Sequence, residues 1–178
     1  MNITKGLPID EKLINAYKEK LPQQLIEIWS KYGFGQLLDG YLRIIDPAEY
    51  TELLNETYFR ADVSIPIFTT AFGDIITFEK NKYIGIVRYK NHDFNILASD
   101  MEMFFLFLDD DYFIKSKFNY KEYINAKKVL GDLSNDECYG YFPVPCAGGK
   151  EVAENIKKVK TKEHIYFISE LIGKIGER

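Results

Sequence analysis

The sequence predicts an α+β fold in which an antiparallel β-meander packs against helices from both the N-terminal and C-terminal thirds of the chain. Two observations lead there. Apolar residues recur at helical spacing near the N-terminus, switch to a period of two from Ile65 to Leu97, and return to helical spacing after Ser99. The strands fall together in the middle and do not alternate with helices, which excludes a parallel β-α-β arrangement. With 46% hydrophobic and 15% aromatic residues in 178, the chain can build an aromatic core by burial alone, without disulfides or a structural metal.

Pro22 opens the first predicted helix, where its missing N–H costs nothing. Leu25, Ile28, Trp29 and Tyr32 follow at i, i+3, i+4 and i+7, and Gly33 ends it. Tyr41 to Ile45 is a short apolar run between the turn pairs Asp39-Gly40 and Asp46-Pro47, which reads as a buried strand. Asp46, Pro47 and Glu49 then supply an N-cap, a first-turn proline and a capping-box acid for a helix with Tyr50, Leu53 and Leu54 on its apolar stripe.

The meander comprises Ile65–Ala71, Ile75–Glu79, Tyr83–Tyr89 and Phe94–Leu97, separated by Gly73-Asp74, Asn81-Lys82 and Asn91-His92-Asp93. Ser99 with Glu102 predicts a capping box for Met101 to Leu108, a helix apolar on nearly every side and therefore expected to be central to the core. Asn119 with Glu122 repeats the device for a helix ending at Leu130 and Gly131. Cys138 to Val144 alternates aromatics with glycine before two prolines, and Ile165, Ile168, Ile172 and Ile175 mark a last helix.

Composition and motifs narrow the function. Twenty-three Lys and Arg against 27 Asp and Glu give a net charge of −4, which disfavours direct nucleic-acid binding. No apolar run is long enough to span a bilayer, no signal-peptide pattern is present, and two cysteines suggest reduced thiols; the expected location is the cytoplasm, away from membranes. Gly148-Gly149-Lys150 fails as a phosphate loop because Val144 and Glu151 occupy the positions that need Gly and Ser or Thr. Gly33-Phe34-Gly35 follows a helix and lacks a third glycine, so it is no dinucleotide fingerprint. Two Cys with seven intervening residues and two isolated His do not make a zinc site. The expectation is a protein with no catalytic residues, no cofactor and no metal.

The most unusual local feature is Asp109-Asp110-Asp111, which with Asp100 and Glu102 places five carboxylates and no base between residues 100 and 111. Such a run can be a solvated loop, a cation site or a patch for a basic partner. Residues 99 to 149 hold nine acidic and five basic side chains, whereas 150 to 178 hold five and seven. An acidic face and a mildly basic tail follow. The candidate partner-binding residues are Asp109, Asp110, Asp111, Asp136 and Glu137 with the flanking Tyr112, Tyr139 and Tyr141, all in expected loops or strand ends.

Four strings carry a resemblance: "LPQQLIEIWSKYGFG", "LLDGYLRIIDPAEY", "IPIFTTAFGDIITFE" and "YGYFPVPCAGGKEVAENIKKVKTKEHI". Together they resemble the immunity proteins that bacteria carry against type VI secretion DNase effectors, with a GAD-like segment (1–98) ahead of a C-terminal immunity segment (99–178). Val144, Pro145 and Cys146 depart from the small aliphatic residues more usual there. The resemblance implies a noncatalytic inhibitor that binds a cognate toxin, a basic nuclease, and the two segments are expected to form one structural unit because no linker separates them. The other reading left open is an intracellular regulatory or scaffold module; an enzyme would need a pocket joining Asp74 or Asp39 to a histidine.

Overall fold

The computed structural model describes residues 2–176. Seven strands form one antiparallel sheet in chain order: β1 (Ile3–Thr4), β2 (Gln36–Leu37), β3 (Leu42–Ile44), β4 (Ser64–Thr70), β5 (Ile75–Glu79), β6 (Tyr83–Arg88) and β7 (Asp93–Ala98). The predicted meander is β4–β7, and β1–β3 extend it. Helices α1 (Glu11–Tyr17) and α2 (Gln23–Tyr32) lie between β1 and β2, and α3 (Pro47–Thr57) lies between β3 and β4. After the sheet come α4 (Met101–Phe107), α5 (Asp111–Lys117), α6 (Tyr120–Leu130), the hairpin β8 (Glu137–Tyr141) and β9 (Ile156–Lys160), and α7 (Thr161–Ile172).

Both faces of the sheet are covered, and the pleat sorts its side chains between two cores. Ile76, Phe78, Ile84 and Ile86 pack with Leu25, Trp29, Phe104, Phe113 and Tyr139. Ile75, Val87 and Tyr89 face the other way, toward Tyr50, Leu53, Leu54, Ile165 and Ile168. All five residues of β5 are consequently buried. The helices expected to cover the meander, those containing Trp29, Phe104 and Ile168, do so.

Local chemistry sets the element ends. Gly33 closes α2 at a φ of +63°, and a Cβ there would overlap the Leu7 carbonyl oxygen. Asp46 accepts from the Ala48 N–H at 2.8 Å with Pro47 at the first helical position of α3. The last helix ends at Ile172, short of Ile175, which lies beyond Gly173 and bridges Tyr58, and three further expectations need correction. The cap of α4 is Asp100, accepting from Met103 N–H at 2.9 Å, while the Ser99 hydroxyl donates to Asp100 Oδ2. Helix α4 is not central on all sides: Met101 and Phe104 are buried, but Leu106 is 59% exposed. Asn119 precedes α6 without a side-chain capping bond.

The chain after the sheet is tied back by backbone bonds to the turns at the sheet's strand ends and to α3: Tyr139 N–H to Ala71 O at 2.8 Å, Cys146 N–H to Lys90 O at 3.0 Å, and Ile175 N–H to Thr57 O at 2.9 Å. Both cysteines are free thiols. No helix among the described residues is long and apolar enough to cross a membrane.

Candidate partner-binding surface

The acidic run lies at the junction of α4 and α5. Asp109 and Asp110 N–H groups close the turn on Leu106 O and Phe107 O, each at 3.1 Å. Asp110 is the N-cap of α5, accepting from the Tyr112 and Phe113 N–H groups at 2.8 and 3.4 Å. Asp111 occupies the first helical turn, where a carboxylate complements the helix dipole, and pairs with Lys115 at 3.8 Å. Phe113 anchors the turn against Phe107 and Phe118, with ring centroids 5.0 and 5.8 Å away. That leaves Tyr112 on the outer side, 79% exposed, at the same junction as exposed Leu106.

Asp136 and Glu137 sit elsewhere, at the start of β8. Asp136 Oδ2 accepts from Lys160 Nζ at 2.5 Å, and its carbonyl accepts from Thr161 N–H at 2.8 Å, so it joins both strands of the hairpin to α7. The Lys160 bond holds its carboxyl below the usual range. Glu137 accepts from the Ser134 N–H at 2.9 Å, which lowers its pKa in the same way.

Tyr139 and Tyr141 are not on the surface. They are 1% and 2% exposed, Tyr139 donating to Gly131 O at 2.6 Å and Tyr141 stacked on Phe72 at 5.9 Å. They were expected in a loop or at a strand end, but both lie within β8, on the face that Phe72 and Tyr123 of α6 cover. They support the hairpin from beneath and present no side chain to a partner.

Two of the clefts between the N-terminal and C-terminal stretches bear on the site. One, about 340 Å³, is strongly polar and contains Arg88 of β6 with Asp74 and Lys90 from the turns beside the strands, and Lys117 and Asn119 from the junction of α5 and α6. Asp74 is buried with Oδ1 unpartnered, and burial lifts its pKa to about 7 although Lys90 and Arg88 oppose the rise. Its wall contains no histidine: His92 contacts Gly173 O at 3.2 Å, and His164 is buried beside Phe142. The acid-plus-histidine arrangement an enzyme reading requires is therefore not assembled at Asp74.

The other cleft, about 330 Å³, is bounded by β2–β3 and the start of α3 on one side and by Asp136, Lys160 and Lys162 on the other. Arg43 forms part of its wall and is 4% exposed. Sequence reasoning passed over this residue, yet it is the one charged side chain in the apolar run Tyr41 to Ile45. No group of three or more His, Cys, Asp or Glu among the described residues is arranged to hold a metal.

Comparison with known proteins agrees with this architecture. Residues 2–89 match the family model of the GAD-like domain, and residues 98–172 match that of the T6SS immunity protein Tdi1, C-terminal. No curated protein matches the chain. Among solved structures, the crystal structure of Atu4351 from Agrobacterium tumefaciens superposes with a TM-score of 0.73 at 18% identity, covering 93% of this chain and 85% of that one. This likeness shows a shared fold. The two matches stand in order along nearly the whole length of the chain: residues 2–89 belong to the GAD-like domain family, and residues 98–172 belong to the family of the T6SS immunity protein Tdi1, C-terminal.

Proposed function

We propose that this protein protects its host cell in the cytoplasm by binding a cognate toxin, a basic secreted nuclease, and that it does so without catalysis and without contacting nucleic acid or membrane. The observation that carries the reading is the pair of family matches. The surface at the α4–α5 junction supports it: Leu106 and Tyr112 offer exposed apolar and aromatic area beside Asp109, Asp110 and Asp111. An apolar centre with a charged margin is the usual make-up of a protein interface. Nucleases carry cationic clefts to hold phosphates, so acids here steer the encounter while Tyr112 anchors the complex. Asp136 and Glu137 add negative charge at the hairpin.

The test starts with co-purification of the product of the neighbouring reading frame and with survival of cells expressing that product. Association kinetics then probe the surface. The variant to use is Asp109→Lys with Asp111→Lys, keeping Asp110 because it caps α5. Association should slow several-fold at low ionic strength and much less at high salt, since exposed charges act through screened, long-range steering. An unchanged on-rate at low salt removes the acidic run from the interface.

A further inference from the structure

We infer that the cleft walled by Arg43 is a binding site for a carboxylate; this inference does not rest on the toxin-binding reading. The starting observation is an uncompensated buried charge. Arg43 Nη1 donates to Ser134 O at 2.9 Å and Nη2 to Thr70 O at 3.3 Å, while Nε–H has no partner. Its pKa is lowered by burial, opposed chiefly by Cys138 and three tyrosines; Asp136 is near enough to feel the charge, but its carboxylate is bonded to Lys160 and not to Arg43. A guanidinium removed from water without a counter-ion is costly, and two carbonyl contacts satisfy donors without neutralising the charge.

Three of the four acids that line the cleft are already engaged. Asp136 senses Arg43 but is bonded to Lys160. Glu49 pairs with Lys162 at 3.4 Å, and Asp46 is occupied as the cap of α3. These pairs brace the mouth and leave the inner cation for something that enters. Phe34, Ile44 and Tyr50 supply apolar walls suited to a short hydrocarbon stem, and about 330 Å³ fits a small ligand or one acidic side chain. Charge selects the class of anion. A single guanidinium surrounded by Asp46, Glu49, Asp136 and Glu163 favours a monoanion, and those four acids repel a phosphate dianion. The planar fork of Arg is matched to the two oxygens of a carboxylate.

Gln36 provides an internal control. It is the direct cross-strand partner of Arg43 and lines the same cleft, so Gln36→Glu sets a carboxylate opposite the guanidinium.

The measurement is the ¹H–¹⁵N resonance of Arg43 Nε–H in the intact protein. It would be followed during titration with sodium acetate, with N-acetylglutamate and with an end-blocked Gly-Glu-Gly peptide, against sodium chloride and inorganic phosphate. We expect saturable displacement of that resonance by carboxylates, with a Kd on the order of 1 mM for acetate. Peptide binding about tenfold tighter than N-acetylglutamate assigns the carboxylate to a partner's chain, and comparable binding assigns it to a free acid. Gln36→Glu should raise Tm by about 3 °C and weaken acetate binding at least about tenfold. The inference fails if no carboxylate moves the resonance saturably, if phosphate binds more tightly than acetate, or if Gln36→Glu leaves acetate binding unchanged.

Discussion

Asp74 and His164 have opposite effects on stability across the same pH range. Asp74 is raised by burial from 3.8 to about 7, so its contribution is fully present below 3.8 and is lost as pH rises through about 7. His164 is depressed by burial from 6.5 to about 4, so its contribution is present above 6.5 and is lost as pH falls through about 4. Over the interval between them the two losses run in opposite directions and partly cancel. Each single variant should therefore unmask the other group. Asp74→Asn keeps the volume and removes the charge; its stability relative to the parent should climb with pH, by at most on the order of 4 kcal/mol above neutrality. His164→Leu should gain on the parent as pH falls below 6.5. Urea unfolding across this range measures both, and parallel pH profiles for parent and variants would show that neither burial is expressed as stability.

At the scale of elements, the sequence was most readable where a local rule and a long stripe coincided. Asp46-Pro47-Glu49 with Tyr50, Leu53 and Leu54 specified α3 because cap, first turn and buried face all lie within nine residues. Ser99 and Asp100 are both good caps, and spacing to Glu102 favoured the wrong one; the structure has Ser99 bonding Asp100 in place of the backbone. Ser99→Ala should accordingly cost little, whereas Asp100→Ala and Asp110→Ala should each cost about 1 kcal/mol in thermal or urea unfolding. Helix α5 was hidden because its seven residues are held by Phe113 on Phe107 and Phe118, contacts with no sequence period. Strands β1 and β2 have two residues each, too short for any alternation. The candidate surface divides in the same way: Tyr112 was legible as exposed beside charges, while the inward turn of Tyr139 and Tyr141 depends on what covers β8. The missing counter-ion of Arg43 is likewise a tertiary fact. Gly85 is another such position: it stands opposite Thr77 on β5, and a Cβ would lie 2.5 Å from Glu79 Oε1 and 2.7 Å from Thr77 Oγ1. That carboxylate is buried and bonded by Tyr58 and Thr77 with Arg60 at 2.7 Å, so it has little room to yield. Gly85→Ala should cost about 1–3 kcal/mol.

Across the whole molecule, the boundary between the two family matches does not coincide with a boundary in the packing. Each core contains residues from before and after residue 98: Trp29, Phe68 and Ile86 pack with Phe104, Phe113 and Tyr139 on one face of the sheet, and Tyr50, Ile75 and Val87 pack with Val144, Ile165 and Ile168 on the other. The second segment thus supplies cover for both faces of a sheet built by the first. Without α4–α6 and the hairpin, Phe72 and Phe104's neighbours would face water; without α7, so would Leu53 and Val87. Partly buried polar ties reinforce the dependence, since Arg43 bonds Ser134 O and Tyr123 donates to Asp39 O at 2.5 Å across the same divide. We expect one cooperative unit, and scanning calorimetry tests it. A chain of this length melting as a whole should absorb on the order of 120 kcal/mol near 60 °C, with the van't Hoff enthalpy equal to the calorimetric one. Two independently stable segments would instead give two transitions, or one whose van't Hoff enthalpy is about half the calorimetric value, and the sheet would then have to be stable with both its apolar faces half uncovered.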